Sequence, residues 1–322
     1  MPSLAGKVFS FIARTAGNVN PIVVEQKKKQ IVKDLRSMEP LFRHFIPPIG
    51  YSYEKTDVDG VPTEVFRKKK APSENVVLVI HGGAYISRMM FYYRLLNKRW
   101  SKASDGGTVV HFDYRCAPEA VYPAALEDTM KVWNWLTEKG TDPDKIVTVA
   151  DSAGGHLTVD LWMKLHELGK KMPRASVLMS PWLDMTASGD SYVYNYKVDP
   201  VFGIKGETPT PEEVKDLLMK SELYMWLGDN DRTDPYISPV FNTFDSTYPP
   251  SFVTVGGNEM LLSDAETLVD KLTDAGVEAT LYIGDGMFHA FPVYQIFPEA
   301  RQALKAISAF IKAQYAKDKP LK

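Results

Sequence analysis

Several short runs of this chain are almost wholly apolar and β-branched: residues 76–80, 108–114, 146–149, 176–179 and 252–255. A run without polar alternation marks a strand buried on both faces, as in a parallel sheet. Segments with helical spacing follow these runs, at residues 124–138, 156–168, 263–275 and 298–316, and a mixed helical stretch reaches residue 103. Residues 279–283 read as one more strand. Residues 51–69 alternate instead and carry the turn Asp57-Val58-Asp59-Gly60, which predicts an antiparallel hairpin. Strands alternating with helices predict an α/β fold with a mainly parallel, twisted sheet flanked by helices. Functional residues then belong on loops at the carboxyl ends of strands.

Two stretches break this rhythm. Residues 1–46 read as short helices, interrupted at 17–21 and ended by Pro47-Pro48. Residues 185–238 hold many aromatics, several prolines and no buried strand, with helices expected at 212–218 and 221–226. The two stretches predict a helical cap over a core made of residues 47–184 and 239–322.

At 322 residues the chain is long enough for one such domain with an ample core. Its 44% hydrophobic and 24% charged content is that of a soluble globular protein. A net charge of −2 gives no basic surplus for nucleic acid. The basic runs at 27–29 and 67–70 are short and read as solvated faces. Cys116 is the single cysteine, so no intrachain disulfide forms and a reducing, cytoplasmic setting is expected. Lys7 and Arg14 interrupt the apolar start, and no run reaches the length of a membrane span, so stable membrane insertion is not expected. No C-x-x-C or H-E-x-x-H motif is present, and neither a metal nor another cofactor is expected.

The candidate chemistry starts where the strand at 146–149 meets Ala150-Asp151-Ser152-Ala153-Gly154-Gly155-His156. Strand, sharp turn with a central serine, then helix is the setting of a nucleophile elbow, with small residues two places either side of Ser152. Ala150 stands where glycine is usual. A serine needs a base. Of the histidines, His289 alone follows a C-terminal strand, on the loop Gly286-Met287-Phe288-His289-Ala290-Phe291. His81 belongs to a glycine turn, where it can brace its own loop. The base needs a carboxylate. Glu259 is the first acid past the strand at 252–255, and Asp264 is the other choice, although it suits the cap of the next helix. Gly82 and Gly83, at the end of the strand at 76–80, can join the Ala153 amide as oxyanion donors. The order serine, acid, histidine is that of an α/β-hydrolase.

These residues resemble the hormone-sensitive-lipase-like family of α/β-hydrolase esterases. The match rests on His81-Gly82-Gly83-Ala84-Tyr85, on Asp151 to Gly155, and on Ser180-Pro181-Trp182-Leu183-Asp184. It continues through Asp234-Pro235-Tyr236-Ile237-Ser238-Pro239, Glu259 to Asp264, and Gly286 to Phe291. Ala84 in place of a third glycine, Ala150 and a glutamate acid are its departures. The resemblance implies an α/β-hydrolase fold with a helical cap and hydrolysis of carboxylic esters, usually of short acyl chains.

The expected activity is therefore that of a serine carboxylesterase on acetyl to butyryl esters, with a small-molecule ester as its only required partner. A homodimer through the terminal strand is compatible with the pattern. Tyr85, Trp182, Tyr194, Phe202 and Phe288 are the candidate pocket walls, while most of the large cap side chains Tyr192, Tyr194, Tyr196, Phe202, Tyr224, Met225 and Trp226 are expected to pack the cap onto the body and some to wall the pocket. An amidase or peptidase could use the same triad. A ligand-binding protein without catalysis would ordinarily lack the histidine that is present here, and an interaction protein using the aromatic cap as its surface is a further alternative.

Overall fold

The computed structural model describes residues 45–203 and 210–317, together with Pro2, Ser3, Gly6, Val32, Lys33 and Arg36. Most of the expected N-terminal half of the cap, including His44, lies outside the described residues.

Eight described strands form one sheet: β1 (Tyr51–Val58), β2 (Val61–Lys68), β3 (Val76–Ile80), β4 (Thr108–Phe112), β5 (Ile146–Asp151), β6 (Ala175–Met179), β7 (Ser251–Gly256) and β8 (Ala279–Gly284). Their order is β1-β2-β4-β3-β5-β6-β7-β8. The hairpin β1–β2 closes through Asp59-Gly60, both with positive φ, and the Asp57 carboxylate accepts the Gly60 N–H at 2.7 Å. It joins β4 antiparallel, and all later pairings are parallel.

From residue 45 on, the α-helices among the described residues are α1 (Tyr92–Ala103), α2 (Ala124–Glu138), α3 (Ala153–Glu167), α4 (Ser191–Tyr194), α5 (Pro211–Met219), α6 (Leu262–Asp274) and α7 (Pro298–Ala316). Successive strand residues point to opposite faces. Leu78 and Ile80 of β3 therefore pack with Trp133 of α2, Leu157 of α3 and Leu268 of α6, while Val77 and Val79 pack with Trp100 of α1 and Ile307 of α7. Both faces are covered, which explains the unbroken apolar strands.

The structure shifts three expected elements. Helix α3 begins at Ala153 rather than 156, because the glycines at 154 and 155 sit in its first turn, where they let it approach the sheet. The mixed stretch after β3 is a turn up to Phe91 before α1 starts. The second insertion helix is a 3₁₀ segment, Glu222–Leu227, between β6 and β7 with α4 and α5.

Strand order reverses beside β3: β4 and β5 both follow it in the chain, and they flank it on opposite sides in the sheet. Ile80 pairs with Ala150, Asp151 with Met179, and Gly256 with Gly284. The loops after β3, β5, β6, β7 and β8 thus leave the sheet side by side.

Candidate active site

Ser152 sits at the N-cap of α3 with φ 52° and ψ −123°. A non-glycine residue there costs of order 1–3 kcal/mol, so its surroundings must hold it. They do so at the backbone. Its N–H donates to the Met179 carbonyl at 2.9 Å, and its carbonyl accepts from His156 and Trp182, each at 3.2 Å. Close packing explains the glycines that follow. A Cβ on Gly154 would lie 2.2 Å from the Ile80 carbonyl oxygen and 2.5 Å from that of His81. On Gly155 it would lie 2.8 Å from Pro181 Cβ. Ala150, by contrast, has no positive φ, and its buried methyl belongs to the core, so its backbone does not require a glycine.

A test follows from Gly154. G154A sets a methyl against two backbone oxygens that cannot move without shifting β3 or α3. We expect loss of stability of about 1–3 kcal/mol from overpacking. We also expect a fall of about 100-fold in kcat/KM, the scale of a 1 Å misplacement. Urea unfolding and kinetics on p-nitrophenyl acetate check both; wild-type values would refute the packing argument.

His289 Nδ1 lies 2.9 Å from Glu259 Oε2. Glu259 is fully buried. Its other oxygen accepts from Ser180 Oγ at 2.6 Å and from the Gly256 N–H. Ser180 Oγ in turn accepts the Ala290 N–H at 2.9 Å, so one hydroxyl ties the acid to the residue after the histidine. Burial pushes the His289 imidazole down, but the Glu259 hydrogen bond and charge outweigh it, with Asp199 and Asp151 adding to the pull. The ring therefore titrates above its ordinary value.

Asp264, the competing acid, is engaged elsewhere. Its carboxylate accepts the Leu183 N–H at 2.7 Å, the Asp184 N–H at 3.0 Å and the Tyr192 hydroxyl at 3.1 Å. Nor does it cap α6, whose N-cap is Leu261 without a side-chain bond. It fastens the loop after β6.

The loop after β3 corrects one expectation. The Gly82 N–H donates to Tyr93 Oη at 2.8 Å and Asp151 Oδ1 at 3.2 Å, so it is not available to a substrate oxygen. Gly82 is required for another reason. A Cβ there would lie 2.4 Å from Asp151 Oδ2 and 3.0 Å from Ser152 Cβ. Beyond it, Gly83 has φ 111°, Ala84 54° and Tyr85 57°. The N–H groups of Gly83, Ala84 and Ala153 have no hydrogen-bond partner among the described residues. His81 braces this loop. Its ring stacks on Tyr114 with centroids 4.1 Å apart, and its Nδ1 lies 2.7 Å from the Gly82 carbonyl.

Ser152 opens onto a cavity of about 440 Å³, a figure that includes space open to solvent. Trp182 and Phe202 line it, as expected, and the Phe202 ring meets the His289 ring edge-on at 4.7 Å. The other expected walls lie elsewhere. Tyr85 is buried behind the loop on Trp226. Tyr194 is 76% exposed. Phe288 is buried against Phe297 and Tyr294. In their place stand Tyr192, Leu218, Leu223 and Tyr224 from the insertion, with Met260 and Leu261 directly after Glu259.

Asp199 is a further participant that the residue pattern did not single out. Its Oδ1 accepts the Val201 and Phe202 N–H groups at 2.8 and 3.0 Å, and its Oδ2 the Met260 N–H at 2.8 Å. It thereby joins the Phe202 wall to the acid loop. Burial pushes its carboxyl up to about 6 against those bonds. The described residues contain no cluster suited to a metal ion and no helix long and apolar enough to cross a membrane.

Comparison with known proteins agrees with this geometry. Residues 77–293 match the family model of the alpha/beta hydrolase fold. An esterase of Acinetobacter venetianus is 31% identical over 245 residues, 76% of each chain. An acetyl-hydrolase of Streptomyces hygroscopicus is 30% identical over 237 residues, 73% of this chain and 75% of that one. The crystal structure of an esterase from the bacterial hormone-sensitive lipase family superposes with a TM-score of 0.80 at 31% identity, covering 98% of this chain and 99% of the other.

Proposed function

Because the chain belongs to the hormone-sensitive-lipase-like family of α/β-hydrolase esterases and is a carboxylic ester hydrolase, we propose that it cleaves short-chain acyl esters through an acyl-enzyme on Ser152. The observation that carries this reading is the hydrogen-bonded Glu259–His289 pair, whose imidazole packs against Phe202 of the apolar cavity that Ser152 lines.

His289 Nδ1–H is held by Glu259, which leaves Nε2 as the base. It takes the Ser152 proton as Oγ attacks the ester carbonyl. The negative charge that develops is received by the amides of Gly83, Ala84 and Ala153. Gly82 drops out of the set originally expected, and Ala84 replaces it. The Ala153 N–H opens helix α3, so the helix dipole favours the same charge. His289 then protonates the leaving alcohol, and in the second half-reaction it activates water against the acyl-enzyme. Glu259 offsets the imidazolium charge in both halves. No step calls on a cofactor.

The acyl chain is assigned to the cavity bounded by Trp182, Tyr192, Phe202 and Tyr224, and the aromatic walls are read as favouring a short chain. The names of the relatives, esterase and acetyl-hydrolase, support an ester bond and a small acyl group. A p-nitrophenyl ester series from acetyl to decanoyl tests this. We expect kcat/KM to peak between acetyl and butyryl and to fall beyond. Values that climb steadily to decanoyl would refute the small pocket.

A further inference from the structure

Helix α3 carries a polar line leading away from the nucleophile. Ser152 at its N-cap, His156 and Asp160 recur every four residues and so share one side of the helix. His156 is fully buried. Its Nδ1 lies 2.6 Å from Tyr85 Oη, and its Nε2 lies 3.1 Å from the Tyr236 carbonyl. A carbonyl only accepts, so Nε2 carries the hydrogen and Nδ1 accepts the hydrogen of the Tyr85 hydroxyl. Burial holds the ring neutral, with its pKa down near about 3. Asp160 Oδ1 stands 3.4 Å from the same Nε2. Burial pushes that carboxyl well above its ordinary range, which keeps a second charge out of the site.

Tyr85 is the residue next to Ala84 in the oxyanion loop. It is held at three points. Its carbonyl accepts the Ala117 N–H at 2.7 Å, its ring stacks on Trp226 at 4.1 Å, and its hydroxyl reaches His156. Ala84 and Tyr85 are consecutive non-glycine residues at positive φ, a conformation that persists only where the surroundings impose it. The proposed oxyanion donors also come from two separate elements. Gly83 and Ala84 belong to the loop after β3, whereas Ala153 belongs to α3. Their mutual placement has to be kept to fractions of an ångström for all three to meet one oxygen.

We propose that His156 is a positioning residue: through the Tyr85 hydroxyl it locks the strained oxyanion loop to the helix that carries the nucleophile. This rests on reading Gly83, Ala84 and Ala153 as the donors and Ser152 as the nucleophile. The alternative is a satisfied polar pair that supports folding alone, and the two roles differ in what they change. A lock on the donors acts on the transition state and lowers kcat, while KM and the number of working sites stay constant.

The test uses Y85F, H156L, H156N and the Y85F/H156L double variant. Sites are counted by stoichiometric phosphorylation of Ser152 with diethyl p-nitrophenyl phosphate, and kcat and KM are measured on p-nitrophenyl acetate. We expect Y85F and H156L each to lose about tenfold in kcat per counted site, less than the 10²–10³ lost with a whole donor. KM should stay within about twofold, because ground-state binding does not use the donors fully. The double variant should be no slower than the slower single one, since both remove the same bond. An asparagine places its Oδ1 close to where the histidine has Nδ1, so H156N should recover kcat to within about twofold of the parent. Unchanged kcat per site in Y85F and H156L, or an H156N as slow as H156L, overturns the proposal. If H156L does not fold, Y85F decides in the same way. A parent enzyme that resists phosphorylation at Ser152 overturns the underlying reading and this proposal together. Normal phosphorylation with unchanged kcat overturns this proposal alone.

Discussion

S152A is expected to lose about 10⁶-fold in kcat on p-nitrophenyl acetate, the scale seen when a triad serine is removed. The loss is that large because Ser152 Oγ is the atom the rest of the site serves. Without it, His289 and Glu259 have no proton to move. A small residual rate should remain, because the amides of Gly83, Ala84 and Ala153 are backbone groups that the substitution leaves in place. The fold should survive, since Ser152 is held through its N–H and carbonyl and not through its side chain. Steady-state kinetics and circular dichroism on the same preparation check both halves. Turnover within tenfold of the parent would remove Ser152 from the mechanism.

E259Q should be the second most damaging change, at about 10⁴-fold in kcat. The reason lies in the three donors that meet this carboxylate: His289 Nδ1, Ser180 Oγ and the Gly256 N–H. A glutamine has one oxygen for three donors. If that oxygen stays with Gly256 and Ser180, its NH₂ faces His289, and the ring must then accept at Nδ1 and carry its hydrogen on Nε2. That tautomer cannot take a proton from serine. The pH profile should change as well. In the parent, the activity needs neutral His289, whose pKa is raised, so the acidic limb of kcat/KM lies above the ordinary histidine value. Without the Glu259 charge the main upward pull is gone and burial remains, so the limb should move to lower pH. A limb that stays in place would show that Glu259 is not the partner that tunes His289.

Much of this site could be read from residue order, and the misses have physical causes. Ser152, Glu259 and His289 were legible because each follows a strand of the parallel part of the sheet, and parallel strands deliver their carboxyl ends to one place. Gly82 was assigned an oxyanion role because the pattern locates the loop, yet the direction of an amide depends on φ and ψ around it. Here Tyr93 and Asp151, distant in sequence, take that N–H. The pocket was harder still. Tyr85, Tyr194 and Phe288 adjoin motif residues, but adjacency does not say which side of a loop a ring faces. The insertion has no regular period, so nothing separated Tyr192 and Tyr224, which line the cavity, from Tyr194, which faces outward. Ser180 and Asp199 act through hydrogen bonds spanning 79 and 61 residues, and no local spacing announces such bonds.

Those long separations have a consequence for the life of the chain before it is complete. Ser180 Oγ joins Ala290 across 110 residues, and Glu259 and His289 sit on the loops that follow β7 and β8. A ribosome delivers the chain from the amino end, and domains fold as it emerges. Ser152 is therefore synthesised well before Glu259 and His289. A nascent or truncated chain holds a serine that nothing deprotonates, and esterolysis begins only when β7 and β8 have docked. With Ser152, Glu259 and His289 as the proposed triad, an incomplete chain lacks the means to activate its serine.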